Sequence, residues 1–304
     1  MTGSLASRLW IYQSERFPLK KTAPLLAVFS AASICVSATL SGRDLPGFGA
    51  FLAGFILAMC LFFQMRVCDE VKDLADDLKY RPTRAIPRGL VALRTIVTLG
   101  AVTVPICIAT VWVWHPPALW LLGVVWLWLV IMTFEFGAPA FLKARPILYL
   151  LSHMMIMPLI DVLLTGLEWM PGGGASPYLW AFLALSFVNG CVLEIGRKLW
   201  APESEIAGVD SYSATWGIRV AAAAWTGCLI LSFALLCAIG FVTGALVAVV
   251  AFGGVGLAAG LWFVRGYATD PTPQSQAKMD TISGLWVFLC YAVAGFVPLI
   301  FGAA

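Results

Sequence analysis

Long apolar runs alternate with short polar connections along the whole chain. The runs fall at about residues 22–40, 48–68, 90–114, 118–136, 147–165, 178–199, 214–238, 242–264 and 283–303. Each is near the ~20 residues that an α-helix needs to cross a bilayer core. The connections carry the breakers. SGRDLPG follows the first run, Pro82, Pro87 and Gly89 the second, His115-Pro116-Pro117 the third and MPGGGASP the fifth. This pattern predicts an all-α, polytopic membrane protein with nine transmembrane helices around a central cavity. One domain over 1–304 is expected, opened by an amphipathic, basic segment at 1–21. Its Trp10, Tyr12 and Phe17 suit the headgroup level. No compact signal peptide is expected, and the first run reads as the first spanning helix.

Composition agrees with this reading. Of 304 residues, 61% are hydrophobic and 12% charged, about half the charged share of an ordinary globular domain. Little is left for a separate soluble domain. Eight cysteines are scattered, several in apolar runs such as Cys35, Cys60, Cys228 and Cys237, and none forms a CxxC pair. They read as small hydrophobes, not as a disulfide framework or a zinc site.

The net charge of +3 says little, but the placement of the cations orients the chain. With the N-terminus in the cytoplasm, the cytoplasmic loops are 1–21, 66–90, 137–146, 197–213 and 265–282. With the adjoining helix ends they take every one of the 19 Lys and Arg residues except Arg43. Such a bias predicts nine helices, N-terminus in and C-terminus out. It also gathers the charged motifs on one side. Because the basic residues follow topology, nucleic-acid binding has no support.

The candidate chemistry centres on Arg66–Gly89, RVCDEVKDLADDLKYRPTRAIPRG. Five acidic residues, Asp69, Glu70, Asp73, Asp76 and Asp77, lie within nine positions. Asp69, Asp73 and Asp77 are spaced i, i+4, i+8, which puts three carboxylates on one helix face. Like charges so placed repel, and a hard divalent cation such as Mg²⁺ removes that cost. Arg66, Lys72, Lys79, Arg81, Arg84 and Arg88 interleave or follow. Carboxylates for a metal beside cations for an anion point to a bound diphosphate. The plain alternative is a charged loop between two membrane helices.

A second acidic helix end closes the sixth run: VNGCVLEIGRKLWAPESEIAGVDSYSATWG. Glu194 lies inside the apolar stretch, Arg197 and Lys198 follow it, and Glu203, Glu205 and Asp210 come next. An ionisable residue inside a span costs roughly 2.5–3.5 kcal/mol at the centre, so Glu194 is a site candidate. Against this stands a simple Glu194–Lys198 pair near the interface. The two acidic ends are expected to face each other across the cavity. His153 is read as a packed core histidine, with a base for an acceptor hydroxyl as the alternative. Asp161 reads as interfacial. The glycines of FGGVGLAAG, 252–260, read as close helix packing rather than a phosphate loop.

These motifs resemble those of the UbiA superfamily of intramembrane prenyltransferases, over nearly the whole chain. Members have nine transmembrane helices and two Asp-rich motifs that bind an isoprenyl diphosphate through Mg²⁺. The first, NDxxDxxxD, is matched by Asp69-Glu70-x-x-Asp73-x-x-x-Asp77, with Asp69 at the Asn position and Glu70 at the first Asp. The following PTRAIPRG resembles the family's Arg-Pro-Leu-Pro loop. The second motif, DxxxD, is looser here. Glu203 and Glu205 fall near it, Asp210-Ser211-Tyr212 resembles the segment after it, and Glu194 lies near an upstream family carboxylate. The departures suggest a member outside the quinone-biosynthesis mainstream.

The resemblance implies two Mg²⁺ ions held by Asp69, Glu70, Asp73 and Asp77 on one side and by Glu194, Glu203, Glu205 and Asp210 on the other. Lys72, Lys143, Arg145, Arg197, Lys198 and Tyr212 are the expected contacts of the diphosphate, with Arg84 and Arg88 covering the mouth. Trp126, Trp128, Phe134, Phe136, Tyr149 and Trp216 are candidate walls for an allylic cation, although most aromatics in such a chain line helix or lipid contacts. The expected partners are an isoprenyl diphosphate, an acceptor of unknown identity and membrane lipid, with no protein partner implied. The expected activity is prenyl transfer to that acceptor. Related membrane terpene cyclases, which close the cation on itself, are the first alternative, and a transporter is the second. A transporter would more often show broken helices and inverted repeats, whereas the charges here crowd one face.

Overall fold

A computed structural model describes residues 3–302. The segment expected from residue 1 and the last helix, expected to 303, reach beyond those residues. Helices joined by turns make up the fold, with no strand among the described residues. They are α1 (Leu5–Arg16), α2 (Leu19–Leu40), α3 (Phe48–Lys72), α4 (Leu74–Tyr80), α5 (Leu93–Trp114), α6 (Leu119–Thr133), α7 (Pro139–Lys143), α8 (Pro146–Met154), α9 (Ile156–Trp169), α10 (Leu179–Gly196), α11 (Tyr212–Trp216), α12 (Ile218–Val242), α13 (Leu246–Thr269) and α14 (Pro273–Phe301). Among the described residues, nine helical segments are long and apolar enough to cross a membrane, with α8 and α9 forming the fifth. The chain is a multi-pass membrane protein.

Local chemistry explains where the helix ends differ from expectation. The last helix starts at Pro273, ten residues earlier than the apolar run. Thr272 and Ser275 close a reciprocal capping box, and Pro273 sits at the first turn, where no backbone donor is needed. The seventh span starts at Ile218 rather than 214. Gly217, at φ +79°, separates it from the short α11. The fifth span breaks at Met155. Pro158, in the next turn, has no N–H to return to the Met154 carbonyl.

The spans α2 and α10 are the most enclosed, and α5 and α13 face outward along most of their length. Around α2 pack α3, α9 and α14, and α10 packs on α12, α14 and α9. Small residues set the closest approach. A Cβ on Gly295 would lie 2.5 Å from Ala32 Cα and 2.7 Å from Ala32 Cβ, against α2 backbone that has no room to yield. Gly295→Ala is therefore expected to lower stability by about 1–3 kcal/mol, the usual cost of overpacking. A drop in the melting temperature of the detergent-solubilised protein would register it, and an unchanged value would contradict the packing described.

Asp161 corrects the interfacial expectation. It is fully enclosed, accepting from Ser33 Oγ at 2.7 Å and Tyr291 Oη at 2.6 Å. A buried carboxylate is tolerable when hydrogen-bonded, and this one ties α2, α9 and α14 together. At that far end of the bundle, Arg43 meets Glu168 in a two-pronged pair. The other charged motifs gather at the opposite end.

Candidate active site

The charged end is built where α3 gives way to α4. At Asp73 the backbone relaxes to φ −86°, ψ 0°. The ladder nevertheless continues, from Asp73 N to Asp69 O at 2.9 Å and from Asp77 N to Asp73 O at 2.8 Å. The three expected carboxylates thus stay in helical register, but their surroundings differ. Asp69 is partly exposed, with Arg66 at 3.5 Å. Asp77 is buried and held by Arg84 at 2.7 and 2.9 Å and by Arg81 at 3.3 Å. Asp73 lies between them. Burial raises its carboxyl above the ordinary range, the adjacent Lys72 works against that, and Asp69 and Asp77 add to it. Arg84, in turn, is lowered chiefly by its own burial.

Glu70 points elsewhere. It accepts from Arg16 Nε at 2.6 Å and Tyr12 Oη at 3.4 Å. Burial, with Glu70 behind it, pushes the Tyr12 hydroxyl up. Tyr12 packs with Val67, Ala85, Ile86 and Leu90 in a small separate apolar cluster. Glu70 therefore straps α1 onto α3. Arg88 does the same from the following loop, through Glu15 at 2.7 and 3.0 Å.

Lys72 turns inward on the other face of α3. Its Nζ lies 2.9 Å from Tyr149 Oη and 3.4 Å from Glu135 Oε1. Glu135 is the residue that the motif reading missed. It sits in a tight turn after α6 in which Glu135, Phe136 and Gly137 have φ of 51°, 54° and 70°. Two consecutive non-glycine residues in the left-handed region are uncommon and cost of order 1–2 kcal/mol each. The turn carries Glu135 into the protein, where it is buried beside Tyr149 Oη at 3.2 Å and His153 Nε2 at 3.6 Å. Tyr149 and His153 stack at 3.9 Å, and Phe136 meets His153 and Trp128 edge-on.

The second acidic end arrives on α10. Glu194 is buried and accepts from Arg197 Nε at 2.6 Å and Lys198 Nζ at 3.0 Å. Arg197 is raised chiefly by Glu194, and the charge of Asp69 contributes across the gap between the two motifs. Tyr212 is buried under Lys198 and against Trp216. Its hydroxyl is raised first by burial and then by Glu194. The two helix ends thus share one electrostatic neighbourhood.

The remaining candidates sit further out. Glu205 accepts from Ser211 Oγ at 2.7 and 2.8 Å, while Glu203 and Asp210 are exposed on the connecting loop. Lys143 and Asp76 form a loose, mostly exposed pair at 3.8 Å. Arg145 lies over the Phe141 ring and lines an apolar depression of about 420 Å³ with Ile147, Leu148, Leu151 and Trp216. Trp126 is engaged by Gln64, and Phe134 is exposed.

Among the described residues no group of three or more His, Cys, Asp or Glu side chains could hold a metal by itself. Mg²⁺ does not require such a cage, because it commonly binds one or two carboxylates together with substrate phosphates and water. Asp69 and Asp73, one turn apart and free of tight guanidinium contacts, fit that donor set. Glu70, Asp77 and Glu194 are occupied by cations.

No protein-family profile matches the chain. No curated protein matches it either. Its fold is similar to a solved structure of digeranylgeranylglyceryl phosphate synthase in membranes, with a TM-score of 0.58. The likeness covers 95% of this chain and 98% of that one at 14% sequence identity, so what it establishes is a shared fold.

Proposed function

We propose that the protein is a UbiA-type intramembrane prenyltransferase that moves an isoprenyl group from its diphosphate to a lipid-like acceptor with the help of Mg²⁺. The observation that carries this reading is the row of Asp69, Asp73 and Asp77 in unbroken helical register, with the charge of Asp69 felt at Arg197 beside the second acidic end. The likeness in fold to a membrane synthase of prenylated lipids supports it.

Asp69 and Asp73 would hold the cation, and the bound ion would neutralise the departing diphosphate. Arg197, whose side chain is half exposed beside Glu194, presents a guanidinium fork suited to phosphate oxygens. Lys198 sits next to it. Arg81 and Arg84 pair with Asp77 at the mouth and offset the repulsion that carboxylate would exert on the diphosphate. Trp128, Phe136 and Tyr149 line the inner side, where exclusion of water protects an allylic cation.

The test is to incubate purified protein with Mg²⁺ and C10, C15 or C20 isoprenyl diphosphate, with and without membrane lipid extract. Products are read by mass spectrometry. A prenylated product that appears only with extract is expected, and its mass names the acceptor. A cyclic hydrocarbon or terpene alcohol formed from diphosphate alone would replace transfer with cyclisation.

We also propose that the charged end faces the cytoplasm. Single cysteines introduced at Thr83 and at Ser176 should then label from opposite sides of the membrane, Thr83 from the cytoplasmic one. Labelling of both from one side would refute the nine-span arrangement.

A further inference from the structure

One pair of groups at the charged end has no role in holding a metal or a diphosphate. Glu135 Oε2 and His153 Nε2 are both buried and have no hydrogen-bond partner. They lie 3.6 Å apart on side chains that are 10% and 8% exposed. A buried polar atom left unsatisfied costs ~1–3 kcal/mol. Two that face each other call for an explanation.

The histidine ring shows what they lack. Its Nδ1 is 2.9 Å from the Tyr149 carbonyl oxygen, which can only accept. Nδ1 therefore carries the hydrogen, and in the neutral ring Nε2 carries the lone pair. The atom opposite is a carboxylate oxygen, also a lone pair. Two acceptors face one another with no proton between them. The group that fits such a slot is a proton donor: a hydroxyl about 2.8 Å from Nε2 gives its one hydrogen to the ring.

The surroundings fix both members in place. Lys72, from α3, and the Tyr149 hydroxyl, from α8, anchor Glu135 by its other oxygen, Oε1. That leaves Oε2 aimed at the ring. Tyr149 stacks on the imidazole and Phe136 closes its edge. The left-handed turn at Glu135 and Phe136 carries this carboxylate inward. Lys72 stands in sequence between Asp69 and Asp73, which places the slot one side chain away from the first motif.

We propose that Glu135 and His153 form the proton-accepting site for a hydroxyl-bearing acceptor, with His153 as the catalytic base and Glu135 steadying the imidazolium. This rests on the transferase reading above. The acceptor oxygen bonds to C1 of the isoprenyl group as the bond from C1 to the diphosphate oxygen breaks. That electron pair leaves with the diphosphate, and the hydroxyl proton passes to His153 Nε2. The product is an ether, and the imidazolium returns its proton to water.

The test has two arms on the full-length protein in detergent. The chain has two histidines, so His115→Gln leaves His153 alone for ¹⁵N NMR. The expected spectrum at neutral pH is a ring protonated at Nδ1 and bare at Nε2. Glu135→Gln should lower its titration midpoint by about one pH unit, as expected when a nearby opposite charge is removed. A ring protonated at Nε2, or a midpoint that Glu135→Gln leaves in place, overturns the proposal. In the second arm, transfer is followed with isoprenyl diphosphate, Mg²⁺ and membrane lipid extract. His153→Gln and Glu135→Gln should each lower kcat by about 10²–10⁴-fold, the range for a lost general base. KM for the diphosphate should stay within about threefold, and His153→Gln should also lose the acidic limb of the pH profile. Should His153→Gln fail to fold, Glu135→Gln decides. Wild-type rates in both variants overturn the base assignment alone. A wild type that consumes no isoprenyl diphosphate overturns the transferase reading and the base assignment with it.

Discussion

Replacing Asp73 with Asn is expected to abolish turnover while leaving the protein folded and slightly more stable. The loss follows from the donor set. In the proposed donor set Asp69, with Arg66 no nearer than 3.5 Å, and Asp73 hold the cation, so removing Asp73 would take away half of that hold. Taking away one group that stabilises a departing charge commonly costs about 10²–10³-fold, and loss of the proposed ion with it would push turnover below detection. The gain in stability follows from the surroundings. Burial and the neighbouring Asp69 and Asp77 raise the Asp73 carboxyl. An acid raised in the folded state opposes folding once it ionises. Its penalty is absent below the unfolded carboxyl range near 4 and fully present above its folded value. At neutral pH the metal-free Asn variant escapes that penalty. Asp77→Asn should behave in the opposite way, because Arg81 and Arg84 would lose their common partner and the loop its anchor. Thermal melts and saturating-substrate assays of both variants separate the two cases. Full activity of Asp73→Asn with ample Mg²⁺ would sink the metal assignment.

The amino-acid pattern carried the span count well because a bilayer imposes one length and one composition on every crossing. Helix ends were harder to place. The capping box at Thr272 and the break at Gly217 act over three or four residues, beneath the resolution of a hydropathy run. The first motif was legible as a row of carboxylates, yet the row does not tell which of them cations already claim. Glu70 shares its spacing with the motif but turns to Arg16 and Tyr12, which lie more than fifty positions away in the chain. Glu135 is the clearest omission. It stands alone between Phe134 and Phe136, without periodicity or a charged neighbour. A hint was available: a single acid at the end of an apolar run, on the side where the other charges gather. Its significance depends on Lys72, Tyr149 and His153, brought to it by two other segments, α3 and α8. His153 is legible as a lone histidine in an apolar run, a pattern that packing alone explains. The Tyr149 carbonyl beside Nδ1, which can only accept, is what points to a bare second nitrogen.

Arg43, the one cation outside the basic loops, should prove among the costliest residues to replace. Its Nε and Nη2 donate to the two oxygens of Glu168 at 2.6 and 2.9 Å, and Ser37 donates to the same carboxylate. Glu168 is buried within the fifth span. The guanidinium is raised above its usual range, first by that hydrogen bond. Since arginine is already charged at every working pH, the pair offers no titration window on its cationic side. Arg43→Met would leave a buried carboxylate with Ser37 as its remaining side-chain donor. Breaking a buried ion pair from one side costs about 3–5 kcal/mol, enough to threaten folding of the whole bundle, because α2 and α9 are central to it. Replacing both partners removes the stranded charge, so Arg43→Met with Glu168→Leu should recover most of the loss. This pair lies at the end of the bundle opposite Asp73 and His153. The double variant should therefore keep its kcat even though each single one melts early. A single Arg43→Met variant as stable as wild type, or a double variant no better than the single, would show that this contact does not hold the far end together.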